Sequence, residues 1–422
     1  MKFIVAVFTA GCVALADAPA QTKLDLPAAL TEAAANNPEL RAARARIEAA
    51  TGRAIQASLW PNPSLEMTAD QVPVNNGGFS RSQNMAGVDQ TVPFPGKKAL
   101  DAKIGAADVT AAEWEYLSRA LEVLREVKEA FWRTLASQKK LAVTEQLVDL
   151  SASTARAVGK RVEAGASADQ EQLRAEVEHE RVRVELIGAR RQLTEAQKIL
   201  APLLGRRPEN ISPLTGELSA QAQRSDLDQA REQMLARHPN IRAVLAKRNR
   251  AELELRRAKL DPLPDVTLGV AAGRDTGADL NLMAFRVSVP LPIFDRAQGR
   301  KREARANADI ARYDLTTTEL RLTSDLAIAD ARLRAAAEQV ECYRASILPK
   351  AEAASRLVRS GYAAGKFGLL DILDTQRTTV QVQLDYYDRL LELNVAQAEL
   401  ESLLMKDLPP QEHPRSEKEP RL

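Results

Sequence analysis

The chain has 422 residues, of which 45% are hydrophobic, 27% charged and only 4% aromatic, and its formal net charge is +2. Basic and acidic residues are interleaved, so no concentrated positive patch argues for a nucleic-acid partner. Long spans filled by Ala, Leu, Glu, Arg and Gln point to extended helices and coiled coils and away from a compact enzyme.

Taken in order, residues 1–20 read as a secretory signal: Lys2 supplies a basic start, Ile4 to Leu15 an apolar run, and Ala18-Pro19-Ala20 a small-residue cleavage site. A lipoprotein-like pattern, Thr9-Ala10-Gly11-Cys12, competes with it, but cleavage there would leave a very short apolar region. No later stretch reaches the roughly 18 to 20 apolar residues of a spanning helix. Any passage through a membrane must therefore use strands closed into a barrel.

From Leu24 to about Leu59 apolar anchors at helical spacing predict a helix, broken at Asn37-Pro38 and ended by Pro61. Trp60-Pro61-Asn62-Pro63 then opens a strand pair that closes at Pro93-Phe94-Pro95-Gly96. Leu65, Met67 and Ala69 alternate with Ser64, Glu66, Thr68 and Asp70, and after a turn rich in Asn and Gly the alternation resumes through Ala86, Val88 and Val92. Lys97 to about Val158 is predicted as one helix, with Leu117, Leu121, Leu124, Val127, Phe131 and Leu135 spaced as a coiled-coil seam. A break at Gly159 to Gly165 leads to a returning helix from about Asp169 to Leu204, which makes a long antiparallel hairpin.

The pattern then repeats. His238-Pro239 answers Asn37-Pro38, and Asp261-Pro262-Leu263-Pro264 answers Trp60-Pro61-Asn62-Pro63, an offset of 201 residues from Pro61 to Pro262. Val266, Leu268, Val270 and Ala272, then Met283, Phe285, Val287, Val289 and Leu291, mark two more strands, the second closed by Pro290-Leu291-Pro292. Helices follow from about Gln298 to Ser360, interrupted near Pro349, and from Leu369 to Met405. The chain reads as two internal repeats, about 21–215 and 226–408, with a disordered, Pro-rich and charged tail at 409–422. Four amphipathic strands per chain fall short of the about eight that a membrane barrel needs. Copies must share one barrel: a trimer would supply twelve strands, and a dimer eight.

Several motifs together make the chain resemble the TolC-type outer-membrane efflux family over nearly all of residues 21–408. They are Asn36-Asn37-Pro38-Glu39-Leu40, the Trp60-Pro61-Asn62-Pro63 opening, the Gln90-Thr91-Val92-Pro93-Phe94-Pro95-Gly96-Lys97 exit, the Leu203-Leu204-Gly205-Arg206 helix end, and the repeat itself. The resemblance implies a mainly α fold with membrane β: a homotrimer with a twelve-stranded barrel among outer-membrane lipids, continued by an α-helical tunnel in the periplasm. It also implies a passive exit duct that works with a periplasmic membrane-fusion adaptor and an inner-membrane RND-type pump. The Pro95-Gly96-Lys97 exit is more like the heavy-metal cation-efflux (CzcC-like) branch than the multidrug branch.

Candidate functional residues follow in two groups. At the turn between the last two helices, Tyr362, Gly365, Asp371 and Asp374 match the family's Tyr-x-x-Gly turn and the acidic helix start after it, and Gly165 and Glu171 stand 200 residues earlier in the first copy. In the family these turns lie at the periplasmic entrance. Asp371 and Asp374, three apart, share a helix face and in a trimer would form a ring of carboxylates that favours cations. The plainer reading is a solvated acidic cap, and Arg174 breaks the ring in the first copy. In the barrel, Glu66, Asp70 and Arg286 lie on the polar strand faces and would point into the lumen, either tuning passage of charged solutes or simply hydrating a wide pore.

No catalytic set, cofactor or metal site is expected. Gly365-Lys366 lacks the spacing and hydroxyl of a phosphate loop. His179, His238 and His413 are scattered, and Cys342 reads as a packed helical residue. Multidrug efflux or type I secretion through the same fold remains an alternative cargo, and a secreted coiled-coil scaffold without a pore is the alternative of another class.

Overall fold

The computed structural model describes residues 24–74, 78–208, 213–223 and 226–408, so the expected signal segment, the Asn75-Asn76-Gly77 part of the first turn and the tail from 409 lie outside the described residues. The chain folds as two halves with the same order of elements. Each begins with a broken helix: α1 (Leu26–Asn36) and α2 (Pro38–Ser58) in the first, α5 (Leu227–Arg237) and α6 (Pro239–Lys259) in the second. The break is a cap. Asn37 Oδ1 accepts from the N–H groups of Glu39 at 2.8 Å and Leu40 at 3.2 Å, while Pro38 sits where its missing donor costs nothing. His238 repeats the device, its Nδ1 accepting from Asn240 N–H at 3.2 Å.

Four strands form one antiparallel sheet in chain order: β1 (Ser64–Asp70), β2 (Gln83–Val92), β3 (Val266–Asp275) and β4 (Leu280–Ser288). The two hairpins are joined by pairing of β2 with β3, which sets Val88 against Val270 although two long helices intervene. Register aligns apolar residues into rows across all four strands: Leu65, Val88, Val270 and Phe285 in one, Met67, Ala86, Ala272 and Met283 in the next. Among the described residues nothing covers this face in the single chain, with Met67 75% and Phe285 80% exposed. The sheet's edges, β1 and β4, have no neighbouring strand among the described residues.

Beneath the sheet stand the long helices. α3 (Lys97–Glu163) runs 67 residues without interruption, about 100 Å, and α4 (Asp169–Leu203) returns along it. The predicted seam is buried from Leu117 to Leu135, with Val127 and Phe131 fully enclosed. The expected break at Gly159 does not occur. A Cβ at Gly159 would meet only Gln172, at 4.0 Å, so the helix continues to Glu163. Gly165 is the stop: at φ +71° it turns the chain so that Ala166 N–H reaches Arg161 O at 2.7 Å.

In the second half the long helix is divided. α7 (Gln298–Cys342) passes through a π-helical turn at Tyr343–Ile347 into α8 (Leu348–Ala363), and α9 (Leu369–Leu403) returns. Pro349, which has no N–H to give, lies just beyond the wide turn, so the backbone absorbs the missing bond there without ending the helix. Cys342, expected to be packed, is exposed, because it lies off the buried row Leu322, Leu326, Ala329, Leu333, Ala336 and Val340. Two cores result, one around Phe131, Leu135, Leu200 and Leu204 and one around Met234, Leu326, Leu333 and Leu393. Each fully buried Leu or Phe in them contributes about 1.5–3 kcal/mol. Among the described residues no helix is long and apolar enough to cross a membrane.

Candidate functional site

The two helix hairpins end side by side. Val158 of α3, Ala175 of α4 and Leu369 of α9 share a small buried cluster, with Tyr362 of α8 and Leu373 packed against it. Tyr362 carries the Arg161 guanidinium 5.0 Å from its ring centroid, and its hydroxyl is buried without a hydrogen-bond partner. Gly165 and Gly365 both take the left-handed conformation, φ +71° and +72°, so each hairpin turns by the same backbone device.

The carboxylates at the tip divide by role. Asp371 Oδ2 accepts from Gly368 N–H at 2.9 Å and so caps its own helix. Asp374, one turn on, is exposed and lines a groove of about 680 Å³ between α4 and α9, together with Arg174, Glu178 and Arg377 and the apolar Leu173 and Val177. Arg377 bridges to Glu178 at 2.6 Å and ties the second copy's hairpin to the first. That bridge strengthens the hold on the Arg377 proton, pushing its pKa up. Glu171 is half-buried and makes no ion pair among the described residues.

A second cluster sits on the sheet face opposite the apolar rows. Register places Glu66 and Asp70 of β1, Asp89 of β2 and Arg286 of β4 on this one face. Arg286 donates to Glu66 and, at 3.1 Å, to Asp89. Strands β1 and β4 would be about 14 Å apart in a flat sheet, so the arginine must lie across β3 and β2 to reach Glu66. Gly269 makes room: a Cβ there would fall 2.0 Å from Asp89 Oδ1. Asp89 thus joins the candidates. Its place was hidden because β2 alternates less cleanly and its register on β3 is set by long-range pairing.

Where sheet meets helix, Lys97 is buried and explains the Pro-Gly-Lys exit. Its Nζ donates to Leu263 O at 2.7 Å and Asp265 Oδ1 at 2.8 Å, so the first copy's exit locks onto the second copy's proline bracket. Burial alone would raise the Asp265 pKa, but hydrogen bonds from Lys97 and the Phe94 N–H and the charges of Lys97 and Arg257 outweigh it and hold the carboxyl below its usual range. No sequence pattern pairs residues so far apart.

Two further ionisable groups are buried lower in the helices. Burial, helped by the charge of Arg321, lowers the His238 pKa to about 4, so the ring stays neutral and keeps accepting at Nδ1. Lys128 bonds Glu401 at 2.6 Å and also Asp407, and although burial opposes its charge these two acids raise its pKa. Among the described residues no group of three or more His, Cys, Asp or Glu is placed to hold a metal ion.

A sequence profile of the family described as outer membrane efflux protein matches residues 29–206 and 230–404. The cobalt-zinc-cadmium resistance protein CzcC of Cupriavidus metallidurans is 30% identical over 370 residues, covering 86% of this chain and 85% of that protein. The pyoverdine export outer membrane protein OpmQ of Pseudomonas putida is 25% identical, covering 90% of this chain and 84% of that protein. The crystal structure of the Campylobacter jejuni CmeC outer membrane channel superposes with a TM-score of 0.75 at 15% identity, covering 92% of this chain and 87% of that one. At that identity the likeness speaks for the fold.

Proposed function

Because this chain belongs to the outer membrane efflux protein family and is an efflux channel of the cell outer membrane, with its helices on the periplasmic side, we propose that three copies form one duct that exports heavy-metal cations. The observation that carries the shared duct is the open four-stranded sheet, apolar on one face, polar on the other and, among the described residues, unpaired at both edges. Such a sheet is stable in a bilayer only when other copies close it. Exposed apolar residues along α4 (Leu173, Val177, Val184, Ile187) and α7 (Ile310, Tyr313, Leu320) also call for neighbouring chains along the helices.

Passage through such a duct is passive, and the driving force belongs to a pump and a periplasmic adaptor that the hairpin tips meet. In this reading Tyr362, Gly365, Asp371, Asp374, Gly165 and Glu171 belong to the entrance. Tyr362 and the Arg377–Glu178 bridge hold the two hairpins together, and Asp374 is the carboxylate free to meet cations. Glu66, Asp70 and Asp89 outnumber Arg286 on the polar sheet face, so the barrel lining would favour cations as well. The division into two repeats, about 21–215 and 226–408, belongs to the same reading and is supported by the repeated order of elements.

Metal cargo is supported by the 30% identity to a protein named for cobalt, zinc and cadmium resistance. The test is a deletion strain grown across zinc, cobalt, cadmium, copper and nickel and across hydrophobic drugs, with cell metal content measured. Sensitivity and accumulation restricted to metals are expected. Sensitivity to drugs alone would overturn the cargo and leave the duct.

A further inference from the structure

Directly under the strands the two halves differ in what their basic residues do. Under β1 and β2, Lys97 is consumed by Asp265 and Leu263 O, and Lys98 donates to Ala57 O at 2.7 Å. Under β3 and β4, Arg257 is held by Asp101 at 2.8 Å and by Asp261, and Arg300 by Asp261 at 3.2 Å and Asp295 at 3.4 Å. The Arg300–Asp261 contact ties the end of α6 to the start of α7, so both lie at one level below the sheet. At that level Arg256, Lys259, Arg296 and Arg302 are exposed and make no ion pair among the described residues. Of the acids at that level, Asp101, Asp261 and Asp295 already serve another arginine, while Glu303, next to Arg302, is exposed without an ion pair among the described residues.

Immediately above these cations the apolar surface does not stop with the strands. Leu291, Ile293 and Phe294 follow β4 and are 74%, 59% and 91% exposed, and Trp60 stands before β1 at 60%. Aromatic residues at this position mark the boundary between hydrocarbon and headgroups in membrane barrels. The four cations lie one step below this apolar surface, at the depth where phosphates lie.

We propose that Arg256, Lys259, Arg296 and Arg302 form a basic collar that binds the headgroup phosphates of anionic phospholipids in the periplasmic leaflet of the outer membrane. The proposal rests on the reading of the sheet as part of a membrane barrel. Each cation near an anionic lipid surface strengthens attachment by about fivefold. In the first half only Lys103 of α3 is exposed without an ion pair at the like depth among the described residues, so the cations are denser under β3 and β4 and a trimer carries three such patches.

The experiment uses the full protein purified from outer membranes in mild detergent, with native mass spectrometry after addition of phosphatidylglycerol, phosphatidylcholine or inorganic phosphate. The native protein should retain phosphatidylglycerol over phosphatidylcholine. A variant with Arg256→Gln, Lys259→Gln, Arg296→Gln and Arg302→Gln should keep its oligomeric mass and lose that preference. Equal retention of the two lipids by the native protein would overturn the collar, as would binding of inorganic phosphate as tight as that of phosphatidylglycerol. So would a variant whose lipid preference persists while its conductance in planar bilayers becomes more cation-selective, because the cations would then line the duct. Absence of the protein from outer membranes would sink the barrel reading itself, and the collar with it.

Discussion

Single residues in this chain do different work at equivalent positions of the two halves. Asn37 caps α2 with one oxygen and uses its amide to donate to Leu203 O at 2.9 Å, whereas His238 caps α6 with a ring nitrogen that must stay unprotonated. That difference makes stability depend on pH. An unfolded histidine takes up a proton near pH 6.5, but this one resists until about pH 4. Between those values the unfolded chain binds the extra proton, so stability is full above about 6.5 and falls as pH drops toward 4, by up to about 3 kcal/mol. Thermal melts of the purified protein from pH 7.5 to 4 should show that decline, and His238→Asn, which retains a capping oxygen, should flatten it. A slope unchanged in the variant would assign the acid sensitivity to other groups.

At the level of elements, the division of labour lies in the long helices. α3 is continuous and gives the first half a straight strut, while its counterpart in the second half passes through the wide turn before Pro349. The far end of α9 is anchored on α3 by Lys128, whose ammonium sits between Glu401 and Asp407. Removing one member of a buried charge cluster leaves the others unpaired and costs about 3–5 kcal/mol. Lys128→Ala should therefore lower the melting temperature markedly and loosen the end of α9, which hydrogen exchange of residues 398–404 would register. Replacement by Met with little loss would show that packing of the stem, and not charge, holds that end.

For the whole molecule, the consequence of charge is seen only in the assembled duct. Asp371 is spent on a cap, while Asp374 is exposed beside Arg174 and Arg377. Asp374→Asn should therefore weaken cation preference in planar bilayers more than Asp371→Asn, whose amide oxygen can still accept from Gly368 N–H. Equal and large loss of selectivity in both would mean that both carboxylates face the passage. No change in either would return Asp374 to the role of a solvated surface charge.

Alternation of apolar and polar residues, proline brackets and unbroken helical spans are local properties, so strands, long helices and the breaks at Asn37 and His238 could be read from the order of residues alone, though not that both residues cap the helix that follows. The 201-residue offset was equally legible, because repetition is a property of the string. What only the tertiary structure decided are contacts between residues far apart: β2 on β3, Lys97 on Asp265, Arg286 across Gly269 to Glu66, and Arg377 on Glu178. Helix termination at Gly165 instead of Gly159 was also decided there, since a glycine stops a helix only where the backbone must turn left-handed and the chain beyond can close the exposed carbonyls. The two carboxylates of Asp371 and Asp374 look alike in sequence. They part company because one lies within reach of a free backbone N–H and the other does not, a difference of position that spacing cannot encode.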